Sequence, residues 1–212
     1  MNEIYYDQIR WNEDDLRHWI QDNGDNTHLL NWDLNSDSRV LDIGSYKGQW
    51  VQTICNKYNC YGIGCEPTQQ PFLESLSKTS DKISFINCGV TIQDSSDMKM
   101  SIGTDDSSFI KTLKDSKEEI VKMINVKELF ETLLKNPIID LVQMNIEGYE
   151  YILLPYMIET GLLNNIKAIQ VQFHNISDQC DKKKEDICNS LKDLGFETKF
   201  DYKFIWYGGI KK

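Results

Sequence analysis

The stretch from Val40 to Trp50 constrains this chain more than any other. Val40-Leu41-Asp42-Ile43 is a short apolar run entered from Ser36, Asp37 and Ser38, which reads as a buried strand leaving a loop. Asp42 falls where that strand ends. Gly44 and Gly48 follow, and glycine permits positive φ and close approach of main chain to a ligand. From Gln49 to Tyr58, Trp50, Val51 and Ile54 recur at helical spacing. A strand, a glycine turn and a helix whose first N–H groups are unpaired form a nucleotide-binding corner. The glycine spacing is G-x-x-x-G, not the G-x-G-x-x-G of dinucleotide sites.

Such a corner needs a second strand ending in a carboxylate about 20 residues on, able to accept from both ribose hydroxyls. Cys60 to Cys65 supplies the strand and Glu66 ends it. The plain alternative is an ordinary βαβ unit with a loop glutamate. Pro71 to Leu76 reads as a crossover helix and Lys82 to Asn87 as a third strand, with Cys88-Gly89-Val90 at its end. There Val90 is placed to pack on an adenine face, with the Asn87 or Cys88 main chain at its edge; simple strand termination is the competing reading.

The rest of the chain extends the same alternation. Residues 91–119 are polar and turn-rich and read as a long loop, either over the acceptor or as a surface excursion. A strand is expected from Val121 to Val126, and a helix from Lys127 to Lys135 stopped by Pro137. Ile138 to Met144 reads as a central strand that delivers Asn145, Glu147 and Glu150 to the ligand crevice. A helix from Tyr151 to Leu163 must hold Pro155 in its first turn or kink there. Lys167 to Phe173 is a strand ending in His174, Asp181 to Leu194 a helix closed by Gly195, and Glu197 to Tyr207 one or two last strands.

Upstream, residues 1–35 are expected to form a helical extension on a domain spanning 36–212. Its helix runs from Asn12 to Ile20 and ends near Gly24, and Trp11, Trp19 and Trp32 supply apolar surface. Packing on the sheet edge is favoured over a lid. His18 and His28 read as solvent-facing.

Taken in order, these signals resemble the FkbM family of S-adenosylmethionine-dependent methyltransferases. The matching stretches are Val40-Leu41-Asp42-Ile43-Gly44 with Gly48, Glu66-Pro67, Asn87-Cys88-Gly89-Val90, Asp106-Ser107-Ser108, Val126 to Leu129, and Ile139-Asp140-Leu141 leading to Ile146-Glu147-Gly148-Tyr149-Glu150. The resemblance covers about four-fifths of the chain. It implies a class I methyltransferase fold: a Rossmann-like α/β three-layer sandwich, its sheet mostly parallel with an antiparallel strand at the C-terminal end. It implies S-adenosyl-L-methionine as cofactor, held by Asp42, Gly44, Ser45, Gly48, Glu66, Pro67, Cys88, Gly89 and Val90. It implies methyl transfer to oxygen, with sugar or polyketide hydroxyls as acceptors.

Two positions depart from the family pattern. Where the family usually has Lys-x-Asp-x-Glu-Gly, this chain has Gln143-Met144-Asn145-Ile146-Glu147-Gly148, and Gln172 stands where a glutamate is common. An amide positions a hydroxyl but takes no proton. The catalytic candidates are therefore His174 and Glu147 as proton acceptors, with Asn145 as a positioning group; the competing readings are a satisfied strand-end residue for His174 and, for Glu147, a carboxylate that holds loops or the donor's amino group. No metal ligand set shows, although carboxylates near a substrate diol suit magnesium.

Composition enters as a filter on partners. A net charge of −10 opposes general binding to nucleic acid or anionic membranes. No apolar run is long enough to span a bilayer, and the polar, acidic Met1 to Asp7 is no signal peptide. The six cysteines form no C-x-x-C pair, and reduced thiols in the cytoplasm are expected. A small-molecule or glycan acceptor fits this balance best, and a homo-oligomer is left open. The rival readings are a peptide acceptor and a non-catalytic binding or scaffold protein that keeps the fold.

Overall fold

The computed structural model describes residues 13–102, 107–108, 117–133 and 138–212. Trp11, the expected helix cap Asn12, Asp106, and the helix end with its Pro137 stop lie outside the described residues.

In chain order the elements are α1 (Glu13–Gln21), β1 (Arg39–Ile43), α2 (Gln49–Tyr58), β2 (Tyr61–Cys65), α3 (Gln69–Ser75) and β3 (Ile83–Ile86). Then come β4 (Gly89–Thr91), β5 (Ser96–Ile102), β6 (Ser107–Ser108), β7 (Lys117–Asn125) and α4 (Val126–Glu128), which runs on as a π-turn over Leu129–Leu133. The remainder is β8 (Leu141–Met144), α5 (Glu150–Glu159), β9 (Ala168–Val171), α6 (Cys180–Asp193), β10 (Phe196–Tyr202) and β11 (Trp206–Lys211).

Seven strands form the main sheet in the order β10-β11-β9-β8-β1-β2-β3. Pairing is parallel from β9 to β3, and β11 runs antiparallel between β9 and β10. This is the class I methyltransferase arrangement, mostly parallel with a reversed strand near one edge. Its order reverses at β1, between β2 and β8, and open α/β sheets bind ligands in the crevice beyond the strand ends at such a point.

Alternation along the strands sorts side chains to two faces. Leu41, Ile43, Val142, Met144, Ile169 and Val171 join the larger core, with Leu153 and Leu154 of α5 and Ile187 and Leu191 of α6. Val40, Leu141 and Ala168 face the other layer, with Val51 and Ile54 of α2. Trp19, Leu29 and Trp32 of the N-terminal segment belong to that second cluster, against Phe200 and Trp206.

Several local readings are corrected. Residues 91–119 are not a long loop: Ser96 to Ile102 pairs antiparallel with Lys117 to Asn125 in a separate sheet of order β4-β7-β5-β6. Cys88-Gly89-Val90 does not merely end a strand, because β4 leads into that sheet by parallel pairing with β7. The helix expected over 127–135 is a single α-turn followed by the π-turn. Helix α5 begins one residue earlier than expected and carries Pro155 in its interior rather than its first turn. Lacking an N–H, Pro155 leaves the Tyr151 carbonyl without its helical donor. His28 is not solvent-facing: it is partly buried, its Nε2 lies 3.0 Å from the Tyr202 hydroxyl, and its ring packs against Trp19 and Phe200.

Candidate active site

Asp42 and Glu66 end adjacent parallel strands, where Asp42 pairs with Gly64 and Ile43 with Cys65. The turn between β1 and α2 is drawn onto β2, because the Gly44 and Ser45 N–H groups both donate to the Cys65 carbonyl at 3.0 Å. Gly44 has φ 84° and Gly48 φ 75°, both in the left-handed region. A Cβ on Gly44 would stand 2.1 Å from the Asn145 carbonyl oxygen, and one on Gly48 would stand 2.4 Å from the Phe85 ring. Only glycine fits either position.

Glu66 is built into the turn. Its Oε2 accepts from the Tyr46 N–H at 2.9 Å, and its Oε1 accepts from the N–H and hydroxyl of Thr68. A carboxylate offers about four lone-pair sites, so acceptor capacity remains for a ribose diol. Burial raises the Glu66 pKa above the usual carboxylate value, against the pull of the Thr68 and Tyr46 donors. Asn87 Nδ2 donates to the Glu66 and Pro67 carbonyls, which ties the ends of β2 and β3 together.

Asp42 differs in being almost wholly buried, at 1% exposure. Its Oδ1 accepts from Gln143 Nε2 at 3.1 Å, whereas its Oδ2 has no hydrogen-bond partner. Burial pushes its pKa up to about 7; the Gln143 donor opposes the rise and the Glu66 charge adds to it. Ser45 Oγ, a turn away, is likewise buried without a partner. Cys88 and Val90 are buried in the larger core, and the Cys88 contact together with burial raises the Cys65 thiol well above its usual pKa.

A second cluster stands at the ends of β8 and β9. Glu150, fully buried in the first turn of α5, accepts from the Gly148 N–H at 2.8 Å and the His174 N–H at 2.7 Å. Its Oε1 also lies 3.1 Å from His174 Nδ1, and Glu147 Oε1 lies 3.3 Å from His174 Nε2. Burial works to lower the His174 pKa, but Glu150 and Glu147 together override it and raise it to about 10. The ring is a charged imidazolium with both nitrogens engaged, so it has no lone pair with which to take a proton near neutral pH. Glu147 holds φ 52°, a conformation uncommon for a side-chain-bearing residue, and Gly148 follows at φ 101°. Asn145 Oδ1 is buried without a hydrogen-bond partner. The Asn145 N–H bonds the Ile43 carbonyl at 3.1 Å, which sets this residue directly beside the Gly44 turn.

Both clusters thus lie at the carboxyl edge of the same sheet, one at the ends of β1 and β2 and the other at the ends of β8 and β9. Four contributors were given no site role from sequence: Tyr46 and Thr68, which satisfy Glu66, and Gln143 and Gln170, which stand behind Asp42; Glu150 was placed at the crevice but not as the group that holds His174. Glu150 alone carried a signal, as the last carboxylate of Glu147-Gly148-Tyr149-Glu150.

A family model described as the methyltransferase FkbM domain matches residues 42–198. The chain belongs to the FkbM methyltransferase family. It is a methyltransferase, and its methyl donor is S-adenosylmethionine. None of the curated proteins matches this chain. Among solved structures, the fibrillarin/Nop5p complex aligns with a TM-score of 0.50 at 12% identity, covering 86% of this chain and 76% of that one. A human methyltransferase 10 domain containing protein aligns at 0.48 and 13% identity, over 92% and 80% of the two chains. M. capricolum TrmK, solved with S-adenosyl-homocysteine, aligns at 0.42 and 12% identity over 84% of this chain and 62% of that one. Likeness at this level concerns the fold.

The donor's demands can be set against this FkbM site. A sulfonium-bearing amino acid joined to adenosine needs anionic acceptors, a ribose-binding carboxylate and main chain that can approach closely. Two partnerless buried oxygens, on Asp42 and Ser45, the spare capacity of Glu66, and a turn without side chains at Gly44 and Gly48 meet them. Among the described residues, no group of three His, Cys, Asp or Glu side chains is arranged to hold a metal ion. No described helix is long and apolar enough to cross a membrane.

Proposed function

We propose that this FkbM methyltransferase transfers a methyl group to a hydroxyl of a small molecule, most simply a sugar or glycan. The observation that carries the reading is the partnerless, buried Asn145 Oδ1 beside the Gly44 turn. An amide oxygen accepts one hydrogen bond from a neutral hydroxyl, and a buried one left unmatched costs about 1–3 kcal/mol. A hydroxyl acceptor removes that cost. The net charge of −10 supports a neutral acceptor over a polyphosphate.

In this reading Asp42 and Ser45 hold the amino-acid end of the donor. Glu66, with Pro67 beside it, holds the ribose, and Cys88, Gly89 and Val90 shape the adenine side. S-adenosylmethionine supplies an electrophilic methyl carbon on a leaving group already activated by positive charge. Asn145 Oδ1 accepts from a neighbouring hydroxyl of the acceptor and so holds the reacting oxygen in line with that carbon, and orientation of this kind is worth several kcal/mol. As the new O–C bond forms and the C–S bond breaks, the hydroxyl proton would pass to Glu147, the carboxylate two residues beyond Asn145. His174 acts as a positioning residue: its imidazolium holds Glu147 in place. Proton acceptance is then a modest contribution, and alignment does most of the work.

The test is transfer of a labelled methyl group from S-adenosylmethionine to a panel of mono- and oligosaccharides, with a peptide panel beside it. Turnover on sugars, reduced by Asn145→Leu, is expected. Label on peptides alone would move the acceptor to protein, and donor binding without turnover on either panel would favour a non-catalytic binding protein.

A further inference from the structure

A row of polar side chains runs across the middle of an otherwise apolar face. Gln170, Gln143 and Asp42 occupy one cross-strand register on β9, β8 and β1. Gln170 is fully buried and Gln143 nearly so. Trp32 Nε1 donates to Gln170 Oε1 at 2.9 Å, Gln170 Nε2 donates to Gln143 Oε1, and Gln143 Nε2 donates to Asp42 Oδ1 at 3.1 Å.

The direction of this chain follows from chemistry. A carboxamide can be turned end for end, exchanging donor for acceptor, but an indole N–H can only donate. Trp32 therefore requires an oxygen from Gln170. That leaves the Gln170 NH₂ to face Gln143, and the Gln143 NH₂ to face Asp42. One donor-only residue at the head of the row aims every amide at the carboxylate. Opposite Gln170 on β11 stands Gly208, covered by the Phe200 ring, which packs on Trp32 at 6.0 Å between centroids.

We infer that Trp32, Gln170 and Gln143 are positioning residues for the donor-binding Asp42: the row fixes the carboxylate through Oδ1 and leaves Oδ2 for the ligand, so that docking of the N-terminal segment and donor binding are coupled. The inference rests on the reading of Asp42 as a donor ligand. The titratable groups facing Asp42 are Glu66 and Cys65 at the end of β2 and Cys55 on α2. None of them supplies positive charge, so neutral amide donors are what favours the ionised form there.

The experiment is calorimetric titration of the full chain with S-adenosylhomocysteine between pH 5.5 and 9, for wild type, Gln143→Leu, Gln170→Leu and Trp32→Phe. Wild-type affinity is expected to rise with pH and level off as Asp42 ionises. The variants are expected to move that midpoint upward in the graded order Gln143→Leu, then Gln170→Leu, then Trp32→Phe. At pH 7 the weakening is about tenfold for the first and about threefold for the last, the size of one lost hydrogen bond. A merely structural role would weaken binding equally at every pH and leave the midpoint in place, and that result would overturn the proposal. Loss of folding in Trp32→Phe would leave the two glutamine variants to decide it. Direct titration of the Asp42 carboxyl by NMR gives a readout without ligand. If wild type binds no S-adenosylhomocysteine, the donor-site reading fails, whereas an Asp42 titration indifferent to all three substitutions fails the row.

Discussion

The carboxyl edge of the sheet holds two buried charged clusters that solve opposite problems. At the β1–β2 end, Asp42 and Glu66 bring two carboxylates together with only neutral donors around them, and Asp42 Oδ2 has no partner. At the β8–β9 end, Glu147 and Glu150 close on His174 from both sides. The first cluster holds no cation among the described residues, and in the proposed reading the donor supplies one. The second already contains its cation. Position at a strand end therefore does not by itself fix a residue's role; the charge balance of each cluster separates a site open to the donor's charge from one whose charges are already paired.

The largest expected effect probes the closed cluster. Glu150→Ala removes the fully buried carboxylate that accepts from the Gly148 and His174 N–H groups and pairs with the imidazolium. Breaking such a pair from one side costs about 3–5 kcal/mol. Urea denaturation should register the loss in the midpoint. A change below about 1 kcal/mol would mean that the cluster is not the closed, structural one. Its pH dependence has a definite sign. His174 is raised to about 10 from its ordinary 6.5, so its contribution is complete below pH 6.5 and is lost as the pH rises through 10.

Asp42→Asn probes the open cluster and should separate binding from stability. It removes a buried charge whose Oδ2 none of the described residues satisfies, so stability should hold or rise. Affinity for S-adenosylhomocysteine should fall about 30-fold, the worth of a charge-assisted hydrogen bond of about 2 kcal/mol. The wild-type carboxyl, raised to about 7 from 3.8, favours the folded state most at low pH. That contribution is lost as the pH climbs from about 4 through 7, opposite to the usual aspartate. Asp42→Asn should flatten this slope in thermal melts taken across the range. If it unfolds the protein like Glu150→Ala, the contrast between the clusters disappears.

Sequence made the geometry of the open cluster legible and left the closed one undecided, for physical reasons. Asp42, Gly44, Gly48 and Glu66 fall within one βαβ unit, where spacing along the chain fixes spacing in space. His174, Glu147 and Glu150 meet only when β8 lies beside β9 and α5 folds back, so sequence could not decide whether His174 was a proton acceptor or a satisfied strand-end residue. Gln143 and Gln170 are 27 residues apart and meet through register alone. Residues 96–102, Ser-Asp-Met-Lys-Met-Ser-Ile, looked like loop because only Met100 among them is buried, so β5 carried almost no apolar signal. The strands of the main sheet, by contrast, were legible one by one from strand and helix signals that each stood on local pattern, and their mostly parallel arrangement was what the family resemblance implied.

The smallest expected effect is the sharpest test of what the open cluster is for. Ser45 Oγ is buried with no partner, so in the free protein it carries an unmatched desolvation cost. Ser45→Ala removes that cost and nothing else the fold uses, because the Ser45 N–H bond to Cys65 and the Gly48 N–H bond to the Ser45 carbonyl belong to the main chain. Stability should rise by up to about 1 kcal/mol, read as a higher melting temperature without ligand. Affinity for S-adenosylhomocysteine should fall about threefold to fivefold over the same substitution, because the hydroxyl then has no role left to play on the bound amino-acid end. Opposite signs in the two measurements are what a ligand-facing hydroxyl requires. A stabilised variant that binds as well as wild type would place Ser45 in the wall of the turn rather than at the ligand, and would leave Asp42 and Glu66 to hold the donor without it.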